Sequence, residues 1–156
     1  MIALVLHAIL RSHFRSKFEN PGLVTIIIGI GTDIAEVPRL RQAIERHGER
    51  FLQRVFTERE MAYCQSHRNS EERFAARFAA KEAMMKALGT GWRRGITWRD
   101  IEVSNAQGGK PNIQLTGKAL EIFHSLGGAR ILLSLTHTDN YALAQVIIEG
   151  ESASSR

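Results

Sequence analysis

Residues 73–91, with the sequence RFAARFAAKEAMMKALGTG, decide the fold because they join strong helix formers to an almost wholly apolar surface. Alanine, arginine, lysine, glutamate, methionine and leucine all favour a helix. Ser70 is placed to cap the N-terminus of this helix, and Gly89 stands where its C-terminus is expected. Large apolar residues share one face, and alanines make a second, smooth face. A helix that is apolar on nearly all sides is usually buried, so we expect it at the centre of the protein.

Three of the charged residues on this helix need an explanation. Lys81 falls in the middle of the face of large apolar residues, and Glu82 and Lys86 lie one turn apart. One interpretation is structural, with a Glu82–Lys86 salt bridge and a lysine whose stem alone is buried. The other is a site for an anion and a metal. Buried charges need partners, and the glycine-rich loop at 89–91 lets backbone approach a phosphate. The helix alone leaves both interpretations open.

Length and composition predict one globular domain with a full hydrophobic core. The 156 residues are 44% hydrophobic and 24% charged, as is usual for a soluble protein. A single cysteine, Cys64, excludes an internal disulfide and a cysteine-based zinc site and fits a cytoplasmic protein. The formal net charge of +5 favours an acidic protein or a phosphate ligand. Without Lys/Arg runs or an RNA-binding motif, we predict no nucleic-acid partner.

The first part of the chain is predicted to lie outside the fold. Its apolar opening lacks the preceding positive charge and the cleavage site of a signal peptide, and no segment has the length of a membrane span. We therefore predict an extension at residues 1–24, either a short amphipathic helix or an upstream start. The domain then spans residues 25–149 and a polar tail residues 150–156, with no membrane partner.

A β-branched run at residues 25–34 predicts a strand that is buried on both faces. Gly29 and Gly31 within it indicate a close approach of backbone or ligand. Asp33 stands at the end of this strand. It either serves a site or caps the helix that follows, and the strand alone favours neither.

The next helix, beginning near Val37, carries a basic surface made of Arg39, Arg41 and Arg46. Such charges often form only a solvated face. Here they are the densest basic patch near Asp33, so this surface is our candidate for docking an acidic partner.

The rest of the sequence predicts short elements in a regular order. Thr57 and Glu60 form a capping box for a third helix. Strands are predicted at 101–104, 112–115, 130–136 and 141–148, with a helix after Thr116. The order of one strand, three helices, two strands, a helix and two strands predicts an α+β fold, an antiparallel sheet with packed helices.

His137 is predicted in the turn between the last two strands. A single histidine in a turn is most often exposed and inert. The neighbouring Ser134, Thr136 and Thr138 form a polar strand end, which suits a phosphate or a nucleotide.

Four separated motifs together resemble the holo-[acyl-carrier-protein] synthase family, the small trimeric 4′-phosphopantetheinyl transferases. The motifs are IGIGTDI at 28–34, RFAAKEA at 77–83 with Lys86 and GTG at 89–91, GKP at 109–111 and SLTH at 134–137. The resemblance runs from about Ile26 to Ile148. One departure is the extension, because the family normally starts just before the Gly-Ile-Gly strand.

The resemblance implies transfer of 4′-phosphopantetheine from coenzyme A to a serine of apo acyl carrier protein, with Mg²⁺, in fatty acid biosynthesis. The family's metal ligands fall on Asp33 and Glu82, which we also predict to be catalytic together with Lys86. Its phosphate-binding lysines fall on Lys81 and Lys86, and its coenzyme A histidine falls on His137.

Three further residues, Arg77, Gly89 and Gly91, are assigned to coenzyme A binding. Glu82, or a metal-bound water that it orients, is the candidate base for the serine hydroxyl. The carrier protein is expected to dock near Arg39 and Arg41. The resemblance also implies a homotrimer with active sites between subunits, so that His137 serves a site whose metal ligands come from the adjacent chain.

Two other functions compete with this one. A basic module that binds nucleotide or nucleic acid explains the charge but gives no reason for the two carboxylates. The other alternative is a different magnesium phosphotransferase that uses a nucleotide. The sequence has no Gly-x-x-x-x-Gly-Lys-Ser/Thr loop, which counts against a P-loop enzyme.

Overall fold

One long helix lies at the centre of the protein, and the other elements surround it. The computed structural model describes residues 23–91, 94–106 and 108–153. The strands are β1 (Leu23–Glu36), β2 (Ile101–Asn105), β3 (Pro111–Leu115), β4 (Gly128–His137) and β5 (Tyr141–Ala153). The helices are α1 (Val37–Val55), α2 (Glu58–Gln65), α3 (Ser70–Ala87) and α4 (Gly117–Ser125), with a 3₁₀ turn at Trp98–Asp100. The central helix is α3, as its apolar surface predicts.

The strands form two antiparallel sheets, and α3 packs between them. One sheet has the order β1-β5-β4, and the other is the hairpin of β2 and β3. Helix α3 contacts the three strands of the larger sheet on one side and α1, α2 and β2 on the other. The prediction of an α+β fold with antiparallel strands is confirmed. No helix within these described ranges is long and apolar enough to cross a membrane.

Two glycines bring β1 unusually close to α3. A Cβ atom on Gly31 would stand 1.9 Å from the carbonyl oxygen of Ala83, and one on Gly29 would stand 2.3 Å from that of Ala87. Both distances are far inside van der Waals contact, so only glycine fits there. The predicted close approach is therefore one of backbone to backbone, and it places the end of β1 beside the middle of α3.

The prediction that β1 is buried on both faces is wrong. Ile30 and Ile34 are 57% and 60% exposed, because one face of this sheet packs on α3 and none of the described residues covers the other. A β-branched strand has the same sequence pattern whether its second face packs against another layer of the same chain or stays exposed, so the pattern does not decide between the two.

Helix α1 has a kink at Gly48, where φ is 55°, and continues to Val55. Element ends differ from the predictions in two places. The N-cap residue of α3 is Asn69, one residue before the predicted Ser70. Strand β5 extends to Ala153, past its predicted end at 148, because it pairs along the whole of β1. The predicted extension lies almost wholly outside the described residues.

Candidate active site

Asp33 and Glu82 line one cleft of about 400 Å³ between the end of β1, helix α1 and helix α3. The glycine contacts of β1 bring these two carboxylates together from residues that are far apart in sequence. Asp33 does not cap α1, because Glu36 is the N-cap residue and makes no side-chain cap. Of the two interpretations for Asp33, the structure therefore favours a residue that serves the cleft.

Lys86 provides the positive charge beside these carboxylates. Its Nζ atom donates to Asp33 Oδ1 at 2.8 Å and to the carbonyl oxygen of Thr32 at 2.9 Å. The predicted salt bridge of Lys86 with Glu82 is thus replaced by an ion pair with Asp33. Burial, and then the negative charge of Asp33, raise the pKa of Glu82, while Lys86 opposes this rise. The charges of Asp33 and Glu82 therefore influence each other within one cleft.

The cleft suits a hard divalent cation through its oxygen donors. Mg²⁺ is commonly held by one or two carboxylates together with substrate phosphates and waters. Within the described ranges, no group of three or more histidine, cysteine, aspartate or glutamate side chains is arranged to hold a metal. A metal at Asp33 and Glu82 therefore needs further oxygens from water or from a phosphate ligand, which is the usual arrangement for Mg²⁺.

Lys81 does not reach this cleft, and its predicted phosphate-binding role needs correction. The side chain is completely buried, and Nζ donates to the carbonyl oxygens of Trp98 at 2.9 Å and Ile101 at 2.6 Å. Its third partner is Glu60 Oε2 at 2.8 Å. An ammonium group has three N–H donors, and all three are used inside the protein. In this chain Lys81 ties α3 to the β2 segment.

Glu60 is the residue that sequence reasoning missed. It was recognised only as part of a capping box, and that box is present, with Oε2 accepting from the backbone of Thr57 at 2.8 Å. The same carboxylate also pairs with Lys81 and accepts from the backbone of Val103 at 2.8 Å. Glu60 is 1% exposed and accepts from three donors, so it connects separate parts of the chain inside the protein. The capping signal pointed to Glu60 but not to its distant partners.

Arg77 lies in a second pocket of about 180 Å³, on another face of α3 from the carboxylates. Its guanidinium stacks 4.0 Å from the ring centroid of Tyr63 and donates to Asn105 Oδ1 at 3.0 Å. Arg73 lines the same pocket and donates to the Tyr63 hydroxyl at 3.2 Å. The Nε atoms of both arginines are buried and have no hydrogen-bond partner in the described part of the chain. Two guanidinium groups that line one pocket give it a positive charge that suits an anion.

His137 is the last residue of β4 rather than part of a turn. Its Nδ1 atom lies 3.3 Å from Glu72 Oε2, and the side chain lines the pocket of Arg77. It also lines an open, largely apolar pocket of about 390 Å³ beside Ile34 and Tyr141. His137 is not among the residues that line the carboxylate cleft of the same chain.

The glycines after α3 serve to end that helix. The backbone N–H of Gly89 donates to the carbonyl of Lys86, and that of Gly91 donates to the carbonyl of Met85. Both glycines have positive φ, 67° and 52°, which is the usual geometry of a helix C-terminus. These two amides are therefore already engaged within the chain, and the role of both glycines in coenzyme A binding stays a prediction.

Of the predicted docking residues, Arg39 lines the carboxylate cleft and Arg41 pairs with Glu71 on α3. The basic surface of α1 and the carboxylate pair therefore belong to one region of the molecule. Only Arg39 opens directly onto the cleft.

The family comparison agrees with this arrangement. Residues 29–146 match the family model described as the 4′-phosphopantetheinyl transferase superfamily. The chain belongs to this superfamily. A curated relative from Koribacter versatilis, a holo-[acyl-carrier-protein] synthase, is 56% identical over 124 residues, which cover 80% of this chain and 99% of the relative. A relative of the same name from Solibacter usitatus is 50% identical over the same shares of the two chains.

Solved structures of 4′-phosphopantetheinyl transferases have the same fold. The holo-[acyl-carrier-protein] synthase of Neisseria meningitidis is 34% identical with a TM-score of 0.72, covering 79% of this chain and 98% of that one. The synthase of Bacillus anthracis, solved in complex with CoA (3′,5′-ADP), is also 34% identical with a TM-score of 0.66, covering 80% and 97%. These comparisons confirm the predicted family, the predicted fold and the prediction that the chain is a transferase of the holo-[acyl-carrier-protein] synthase type.

Proposed function

We propose that this transferase moves 4′-phosphopantetheine from coenzyme A to a serine of apo acyl carrier protein, with Mg²⁺, in the cytoplasm and for fatty acid biosynthesis. The observation that carries this proposal is the pair of Asp33 and Glu82 in one cleft, with Lys86 beside them. Two carboxylates and an ammonium group are what a metal-assisted transfer between a pyrophosphate and a hydroxyl needs.

The chain's own groups have separate tasks in this transfer. Asp33 and Glu82 hold the metal, which, when bound, offsets the negative charge that develops on the leaving phosphate. Lys86 is 49% exposed and can turn from Asp33 to a phosphate oxygen. The serine oxygen bonds to the β-phosphorus, the bond from that phosphorus to the departing 3′,5′-ADP breaks, and the serine proton is lost. Glu82, or a metal-bound water that it would orient, is the candidate base that accepts this proton.

The adenosine end of coenzyme A is proposed to bind in the pocket of Arg73 and Arg77. Guanidinium groups bind phosphate through paired hydrogen bonds, and both arginines line this pocket. Asn105 fixes Arg77 from the β2–β3 hairpin, so helix and hairpin form the pocket together. The Bacillus anthracis relative with bound CoA (3′,5′-ADP) supports a nucleotide ligand for this fold.

The acyl carrier protein is proposed to dock on the basic surface of α1. Arg39 stands at the edge of the cleft that holds the carboxylates, so an acidic protein bound there brings its serine close to the metal site. Arg41 is exposed but already paired with Glu71, so its contribution is expected to be smaller.

A homotrimer with active sites between subunits is proposed from the uncovered face of the larger sheet. Ile30, Ile34 and Tyr141 are each more than half exposed on this face, and burying such an apolar patch is favourable. His137 lies beside this face and outside the carboxylate cleft of its own chain. When this face packs against a second copy of the chain, His137 can reach the carboxylate cleft of that copy.

The proposed function is tested by the intact mass of apo acyl carrier protein after incubation with the full chain, coenzyme A and Mg²⁺. We expect a gain of one phosphopantetheine group that EDTA abolishes and that Asp33→Asn greatly slows. Lys118→Met is a suitable control, since Lys118 makes an exposed ion pair with Glu121 on α4, remote from the site in sequence. A folded chain that modifies none of several carrier proteins would refute the proposal.

A further inference from the structure

Lys86 makes a specific and unusual contact for a residue assigned to phosphate. Its ammonium group lies 2.8 Å from Asp33 Oδ1, and a second bond of 2.9 Å to the Thr32 carbonyl fixes its direction. Asp33 itself is only 16% exposed on its side chain, whereas Lys86 is 49% exposed. The carboxylate is held inside the cleft, and the lysine reaches it from the solvent side.

An ammonium group at this place competes with a metal ion for the same carboxylate. A cation held by Asp33 would lie close to the ammonium group that now contacts Oδ1, and two positive charges within a few ångströms repel each other. A lysine on a flexible four-carbon stem is able to leave, whereas Asp33 is fixed by the strand.

We propose that Lys86 is the resident counter-cation of Asp33, which a divalent metal must displace before it binds. This inference rests on the proposed function, in which Asp33 and Glu82 hold the metal. Lys86 then has two alternative partners, the Asp33 carboxylate in the metal-free chain and a phosphate oxygen in the loaded one.

The exchange couples the binding of metal and phosphate. A phosphate ligand that attracts the displaced ammonium lowers the cost of metal binding, and by linkage the metal strengthens phosphate binding by the same factor. Metal is thereby favoured on chains that also hold the pyrophosphate substrate. Removal of Lys86 has opposite effects on two measurements, because it slows transfer and yet strengthens the binding of metal alone.

The test is a titration of the full chain with Mn²⁺ alone, followed by electron paramagnetic resonance of the free ion. We expect Lys86→Met to bind Mn²⁺ at least about tenfold more tightly than the unmodified chain, since a divalent ion and an ammonium about 4 Å apart repel appreciably even in water. Lys86→Arg keeps the charge and is expected to remain close to the unmodified chain.

Two control variants separate the counter-cation role of Lys86 from the existence of the metal site. Lys118→Met removes a lysine of nearly equal exposure, 48%, from another ion pair, and it should leave Mn²⁺ affinity unchanged. Asp33→Asn should abolish most of the binding. Mn²⁺ affinity that depends on Asp33 but does not rise in Lys86→Met would overturn the counter-cation role and leave the metal site standing. Affinity that is the same in all variants, Asp33→Asn included, would overturn both.

A second measurement examines the coupling directly. Addition of coenzyme A should raise the Mn²⁺ affinity of the unmodified chain by a larger factor than that of Lys86→Met, because the variant has no ammonium to transfer. Equal factors in the two chains would contradict the proposed exchange of partners.

Discussion

Lys81→Met tests whether the buried lysine is a structural tie or a phosphate ligand. Methionine keeps the length of the side chain and removes its charge, so the packing of α3 changes little. The substitution leaves Glu60 as a carboxylate with 1% exposure and no counter-ion. It also withdraws a hydrogen-bond donor from the carbonyls of Trp98 and Ile101.

The expected cost is large because only one partner of a buried pair is removed. Breaking such a pair costs about 3–5 kcal/mol. For a domain of this size that corresponds to a fall in Tm of roughly 10–15 °C. Replacing both charges, as in Glu60→Leu with Lys81→Met, removes the uncompensated ion. It should therefore cost less than the sum of the two single changes, by roughly 1–3 kcal/mol. The double variant is not expected to be neutral, because Glu60 and Lys81 also bond to backbone groups on α2, β2 and the 3₁₀ turn.

The assay is thermal unfolding of the full chain at one fixed protein concentration, combined with steady-state kinetics for coenzyme A below the Tm. Lys118→Met, an exposed lysine in a surface ion pair, is the control and should change stability by less than about 0.5 kcal/mol. A Lys81→Met chain with unchanged Tm and a greatly raised KM for coenzyme A would refute the structural role. That outcome would restore the phosphate-binding role predicted from sequence.

Three further substitutions test the site and its support. Glu82→Gln should remove most turnover yet raise Tm near neutral pH: burial raises the pKa of Glu82, so ionising it costs stability once the pH exceeds its ordinary value. This gain should shrink towards about pH 4, where both states are protonated, and near-normal turnover would exclude Glu82 from the mechanism. Arg39→Glu should raise KM for carrier protein far more than for coenzyme A; equal rises would assign Arg39 to structure or to the nucleotide site. Gly31→Ala places a Cβ 1.9 Å from the Ala83 carbonyl and should cost at least about 1–3 kcal/mol by urea unfolding, whereas an unchanged midpoint would contradict the close strand–helix contact.

The sequence predicted the parts of the site that depend on local pattern. Helix α3 was predicted from its composition, and the closeness of β1 followed from Gly29 and Gly31. For Asp33 in β1 and for Glu82 in α3, the local sequence left both a structural and a functional interpretation open. They could be grouped because several motifs in one order resembled a known family, and the structure then placed both in one cleft.

Contacts between residues far apart in sequence could not be predicted in this way. Glu60 lies 43 residues from its backbone partner Val103, and Lys81 lies 20 residues from Ile101. No periodicity relates such positions, and a capping box explains a buried glutamate only in part. The role of Gly89 and Gly91 could not be decided from the sequence either. A glycine pair that ends a helix and one that binds phosphate have the same composition.

The separation of Lys81 from Glu82 explains how one short motif serves two purposes. Successive residues of an α-helix point about 100° apart, so neighbours in sequence face different parts of the protein. Lys81 therefore faces the β2 segment and Glu60, while Glu82 faces the cleft. The two roles are still mechanically connected, because any rotation of α3 that moves one side chain moves the other. The three acceptors that hold Lys81 restrict the rotation of α3, and they thereby restrict the position of Glu82 in the cleft. If Glu82 has the proposed catalytic role, the neighbouring structural lysine helps to position it, and loosening the Glu60–Lys81 pair should impair turnover even in chains that remain folded.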